Sequence, residues 1–128
     1  MKAYKPENYN SLSPYLIVDD AERLVRLLKE IFYAKELRVF KDTDGRIFHG
    51  ELMIDDTVIM ISNSTENYPA HKLMLHVYVP GVDIVFKRAI DAGCVSIEVP
   101  VVKDGDTDKR GSFYDFAGNF WSVSTQSE

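Results

Sequence analysis

The sequence predicts an α+β chain in which one order of elements, strand, helix, then three strands, occurs twice. Two amphipathic helix patterns, each preceded by an apolar run and followed by alternating segments, carry this expectation. A shift of 61 superposes Val18 on Val79, Ala21 on Val82, Leu24 on Val85 and Val25 on Phe86. A shift of 62 then sets Val58 on Phe120 and Met60 on Ser122. Residue identity between the halves is almost nil, so the repeat lies in pattern.

The elements follow in order. Leu12 to Val18 is apolar and β-branched, with Pro14 near its start, as a strand end or edge tolerates. Asp19 and Asp20 offer an N-cap, after which Leu24, Val25, Leu27, Leu28, Ile31 and Phe32 recur at helical spacing. Glu36 to Lys41 reads as a strand, Asp42-Thr43-Asp44-Gly45 as a turn, Arg46 to Ile54 and Thr57 to Ile61 as strands. The polar stretch from Ser62 to Lys72 is a connector. Leu73 to Val79 starts the second half, Gly81 opens a helix that Gly93 closes, and Val95 to Val101 is the next strand. Lys103 to Lys109 reads as a charged loop, and FYDFAGNFWSV as the last hairpin. The expected organisation is one domain over 1–128: a lead segment 1–11, a first module 12–63, a connector 64–72 and a second module 73–125.

Bulk properties narrow the partners. A length of 128 residues at 45% hydrophobic content suits one core. Fifteen basic against twenty acidic residues, with no basic run, disfavours nucleic acid. No apolar run approaches the roughly 20 residues that span a bilayer, which disfavours a membrane. MKAYKPENYN lacks the apolar stretch of a secretory signal, so a cytoplasmic protein is expected. The single cysteine, Cys94, reads as a small buried hydrophobe with no chemical role.

Side chains alternate across a strand, so each strand divides into two faces. The helix-facing sets are apolar: Leu12, Pro14, Leu16 and Val18; Phe48, Gly50, Leu52 and Ile54; Ile59 and Ile61; Leu73, Leu75, Val77 and Val79; Trp121 and Val123. The opposite sets are mixed: Ser13, Tyr15, His49, Glu51, Met53, Met60, Met74, His76, Tyr78, Phe120 and Ser122. Aromatic and thioether surface with a few polar groups suits a concave small-molecule site.

The stretches SPYLIVDDAERLVRLLKEIFYAKELRVF, DGRIFHGELMIDDTVIMIS, LHVYVPGVDIVFKRAIDAGC and RGSFYDFAGNFWSVST resemble the glyoxalase, bleomycin-resistance and extradiol dioxygenase superfamily, the vicinal oxygen chelate proteins. The resemblance covers about residues 12 to 125 and is nearest to small bacterial glyoxalase-like proteins. It implies paired βαβββ modules whose sheets curl into a cup. It also implies four metal-ligand positions, which fall on Ser13, Met60, Met74 and Ser122. None is a histidine or carboxylate, so no metal and no cofactor are expected.

Other readings stay open. His49, Glu51 and His76 could make a different metal set. Glu51 could be a general base if an apolar cup raised its pKa, or could pair with Arg46 or a lysine. His71 reads as solvated and Trp121 as core. The relatives carry Asp-Pro-Phe-Gly where this chain has Asp115-Phe116-Ala117-Gly118, and losing the proline should loosen the turn. If Arg110 takes the relatives' arginine role, it pairs with Asp115 or reaches an anionic ligand. The leading expectation is a metal-free homodimeric module binding a flat or aromatic molecule, with stacking on Tyr15, Tyr78 and Phe120 and polar anchoring by His49, Glu51 and His76. The rivals are a glyoxalase-type lyase or isomerase and a structural or regulatory partner protein. Tyr4, Pro6 and Tyr9 of the lead segment are expected to pack on the body or on a partner subunit.

Overall fold

Asp20 begins the first helix by accepting a hydrogen bond from the Arg23 amide at 3.0 Å, as an N-cap aspartate does. In the computed structural model, which describes residues 2–127, that helix is the second of ten elements. They are β1 (Tyr15–Val18), α1 (Ala21–Phe32), β2 (Lys35–Lys41), β3 (Ile47–Ile54), β4 (Thr57–Asn63), β5 (Met74–Tyr78), α2 (Val82–Asp91), β6 (Val95–Val101), β7 (Asp108–Tyr114) and β8 (Phe120–Gln126). Strand, helix, then three strands occurs twice. No helix among the described residues is long and apolar enough to cross a membrane.

The chain divides into two compact units, one taking residues up to Lys29 together with Tyr33–His71, the other Glu30–Phe32 and the chain from Lys72 on. The first sheet has the order β1-β4-β3-β2 and the second β5-β8-β7-β6. In each, the first and last strands are parallel and the other pairs antiparallel. The repeat also holds in detail. Tyr15 stands beside Met60 and His76 beside Ser122, the same pair displaced by 61 and 62 residues. Asn63 Oδ1 accepts from the Ala21 amide at 2.8 Å, and Thr125 Oγ1 from the Val82 amide at 3.0 Å. Thus a side chain at the end of each closing strand satisfies an otherwise orphaned amide of its module's helix.

Leu24 and Leu28 of α1 and Leu16, Leu52 and Ile61 of the first sheet are fully buried. In the second unit α2 packs on β6, β7 and β8, burying Val85, Phe86 and Ala89. Phe86 meets Phe113 edge-on, and Phe32 lies against Trp121, which is core as expected. The Gly93 amide bonds the Ile90 carbonyl and the Cys94 amide that of Ala89, both at 3.0 Å, the double closure of a Schellman end.

Three expectations need correction. The first strand begins at Tyr15, because Pro14 has no amide and Leu12 is exposed; Pro14 instead accepts from the Met60 amide. Asp108 and Lys109, expected in a loop, open β7, whose charges are satisfied by ion pairs. Phe48, assigned to the helix-facing set, is 56% exposed, while Ile47 is 4% exposed. The cause is a bulge: Phe40 pairs with His49 and Lys41 with Ile47, which leaves Phe48 unpaired and turned out.

Candidate functional site

The outward-facing polar set of the first sheet centres on Glu51. It sits mid-strand in β3 beside Met60 of β4 and is 2% exposed. A buried carboxylate needs partners, and it has three. Arg38 donates through Nε to Oε1 at 2.7 Å and through Nη2 to Oε2 at 3.3 Å. The Tyr9 hydroxyl donates to Oε1 at 2.6 Å, and His49 Nε2 lies 2.8 Å from Oε2. Burial alone would raise this carboxyl, but the bonds from Arg38, Tyr9 and His49 outweigh it and hold the pKa at about 2. The expectation of a raised carboxyl is therefore corrected. So is the pairing, since Arg46 donates to the Asp19 carbonyl and Arg38 serves Glu51.

A second bulge explains Arg38. Glu36 pairs with Leu52 and Val39 with Gly50, so Leu37 and Arg38 together stand opposite Glu51. Without that extra residue, alternation would oppose Leu37 to Glu51. The lead segment closes the group. Tyr9 lies under the Arg38 guanidinium, 5.4 Å from ring centroid to cation. Next to it Asn10 accepts from the Val58 amide at 2.9 Å and donates to Ser13 Oγ at 2.9 Å. Tyr9 thus packs on the body, whereas Tyr4 is 86% exposed.

From Glu51 the polar chain continues outward. His49 Nδ1 is 3.0 Å from Tyr15 Oη, and Phe40 stacks on the imidazole. Tyr15 is 37% exposed and forms one wall of a cleft of about 480 Å³. Phe48, Ile17, Ser62 and Tyr68 line the remainder, with Asn63 and Thr65 at the end. Tyr68 is placed by a turn in which its amide bonds Thr65 Oγ1 at 3.0 Å and its carbonyl accepts from the Thr65 amide. His71, read as solvated, is exposed yet tied to β1: its amide bonds the Ile17 carbonyl, and Nε2 lies 2.9 Å from that of Tyr15.

The remaining predicted positions divide between the sheets. Met53 and Met60 are half-buried neighbours of Val58 and Glu51. On the second sheet Met74 is 74% exposed beside Phe120, and His76 lies beside the buried Ser122. His76 Nε2 is 2.7 Å from Ser124 Oγ, and burial followed by Arg110 lowers its pKa. Tyr78 donates to Asp108 at 2.7 Å, and Arg110 pairs with Asp108 and Asp106. The expected Arg110–Asp115 pair is thus replaced. Asp115 instead accepts from the amides of Ala117 and Asn119, from Asn119 Nδ2 and from Trp121 Nε1. Those four bonds hold the turn that the missing proline was expected to loosen.

Ser13, Met60, Met74 and Ser122 do not fit a divalent metal, because two hydroxyls and two thioethers are poor donors to zinc, nickel or iron. Among the described residues no three His, Cys, Asp or Glu side chains group to hold an ion.

TioX from Micromonospora sp. ML1 superposes with a TM-score of 0.78 at 21% identity, over 91% of this chain and 98% of that one. The fosfomycin resistance protein FosX from Mesorhizobium loti gives 0.66 at 18%, over 91% of each chain. FosX from Listeria monocytogenes, complexed with Mn(II) and sulfate, gives 0.69 at 19%, over 91% and 90%. The chain has the glyoxalase/bleomycin-resistance fold. By sequence, an uncharacterized protein of Mycobacterium tuberculosis strain H37Rv is 28% identical over 124 residues, covering 88% of this chain and 72% of that protein. No protein-family model matches the chain. Within this fold, alternation located Tyr15, His49 and Glu51 but missed Arg38, Phe48 and Tyr68. Two of these depend on bulges and the third on a connector turn. The one available signal was Arg38 itself, a cation amid apolar neighbours on a strand flanking Glu51.

Proposed function

We propose that this protein binds a small planar or aromatic molecule in the cleft of its first unit, without a metal ion. The observation that carries the reading is the cleft itself, about 480 Å³ and walled by Tyr15, Phe48 and Tyr68, with one polar chain leading from it to buried Glu51. A few convergent polar groups in a largely apolar hollow of this volume are what a small-molecule site requires. A base role for Glu51 finds little support, since a carboxylate held at about 2 and filled by three partners is a weak proton acceptor near neutrality. The homodimer remains part of the proposal. Met74, Tyr78, Val95 and Val99 on the edge strands β5 and β6 are exposed apolar side chains that a second copy would cover, and sedimentation at rising protein concentration tests this.

A thermal-shift screen of planar aromatics tests the ligand reading, because a molecule that binds only the folded state raises Tm with its occupancy. A hit whose shift shrinks in Phe48→Ala or Tyr68→Ala supports it. Hits that ignore both substitutions would place the ligand elsewhere.

A further inference from the structure

The hydrogen bonds around His49 fix more than a shape. An ionised carboxylate only accepts, so the 2.8 Å contact with Glu51 Oε2 requires the proton on His49 Nε2. A neutral imidazole so protonated has a bare lone pair at Nδ1. Tyr15 Oη, 3.0 Å away, must therefore donate to it. That bond uses the only hydroxyl proton Tyr15 has. What the phenol can still offer to the cleft it lines is its oxygen lone pairs, so the wall there accepts and does not donate.

The groups packed around His49 and Tyr15 do not reverse this polarity, and the other hydroxyls of the cleft belong to Ser62, Thr65 and Tyr68. Tyr9 gives its one hydroxyl proton to Glu51, Arg38 directs Nε and Nη2 at the same carboxylate, Phe40 stacks on the imidazole, and Met60 beside Tyr15 has no proton to give. All of these groups belong to the first unit.

We propose that the cleft selects planar aromatic ligands carrying an O–H or N–H donor, a phenol or an arylamine, which Tyr15 Oη accepts, and that His49 backed by Glu51 is the positioning residue that sets this preference. The proposal rests on the binding reading above. An aromatic of equal shape bearing only an acceptor at that point meets lone pair against lone pair and is disfavoured.

The test compares 2-naphthol with 2-methoxynaphthalene, which share a ring system and differ in the donor proton, titrated by fluorescence at about pH 8. Wild-type protein should prefer 2-naphthol, and Tyr15→Phe should reduce that preference roughly threefold to tenfold, the worth of one net hydrogen bond. Two-bond proton–nitrogen spectra of wild-type His49 should show Nε2 protonated and Nδ1 bare. The opposite tautomer, or a preference that survives Tyr15→Phe, would overturn the proposal while leaving the aromatic cleft intact. Failure of both naphthalenes to bind would instead remove the binding reading on which it rests.

Discussion

Arg38 and Glu51 are joined by two hydrogen bonds of 2.7 and 3.3 Å, one partner half exposed on an edge strand and the other almost wholly buried. The asymmetry matters. The arginine keeps much of its hydration, whereas the carboxylate has given up nearly all of its own and depends on three protein donors. Removing a donor therefore costs more than a surface ion pair would.

The first prediction concerns acid. The ordinary carboxyl value is 4.5 and the folded one about 2, so ionised Glu51 contributes stability that is complete above pH 4.5 and lost as pH falls through about 2. The contribution is roughly 3 kcal/mol at neutrality. Urea unfolding over a pH series should show this decline in wild-type protein and a flatter one in Glu51→Gln. Parallel curves would contradict the assignment.

Arg38→Ala should destabilise the fold by about 1–2 kcal/mol and move the Glu51 carboxyl upward. Carbon-detected titration of the glutamate side chains reads the second effect directly. An unmoved Glu51 would mean that Tyr9 and His49 suffice.

Tyr9→Phe removes a single hydroxyl donating to Glu51 and should cost about 1–2 kcal/mol. Tyr4→Phe, at an exposed ring, should stay within about 0.5 kcal/mol. Equal effects from both would show that the lead segment does not hold Tyr9 in place.

Asp115→Ala strips four hydrogen bonds from the last turn, among them the one that Trp121 Nε1 donates. A loss of about 3 kcal/mol is expected, with intrinsic fluorescence of Trp121 shifting as its surroundings loosen. A change under about 1 kcal/mol would show that backbone bonds alone sustain the turn.

Burial, followed by the charges of Asp115 and Glu30, pushes the Cys94 thiol up to about 12. Iodoacetamide at about pH 8 should leave it unmodified in native protein and label it once urea unfolds the chain, because the thiolate is the reactive form. Rapid native labelling, followed by mass spectrometry, would refute its placement in the interior.

Periodicity made the architecture legible. Leu24, Val25 and Leu28 at helical spacing, and Leu52 with Ile54 at strand spacing, are each buried where their pattern put them. The hairpin from Phe113 to Val123 forms as expected, and Asp115 holds its turn although Phe116 stands where the resemblance implies a proline. Charge defeated the same reasoning at Asp108, which looks like loop until Tyr78 and Arg110 are seen to satisfy it.

By itself the sequence determined two strand-helix-three-strand modules and the side of the first sheet on which Tyr15, His49 and Glu51 stand, since both follow from periods of 3.6 and 2 that any local window displays. The tertiary structure alone decided that Arg38 answers Glu51 and that Phe48 faces the cleft. Each result depends on one extra residue in a strand pairing, a matter of register between distant segments that alternation along one strand cannot register.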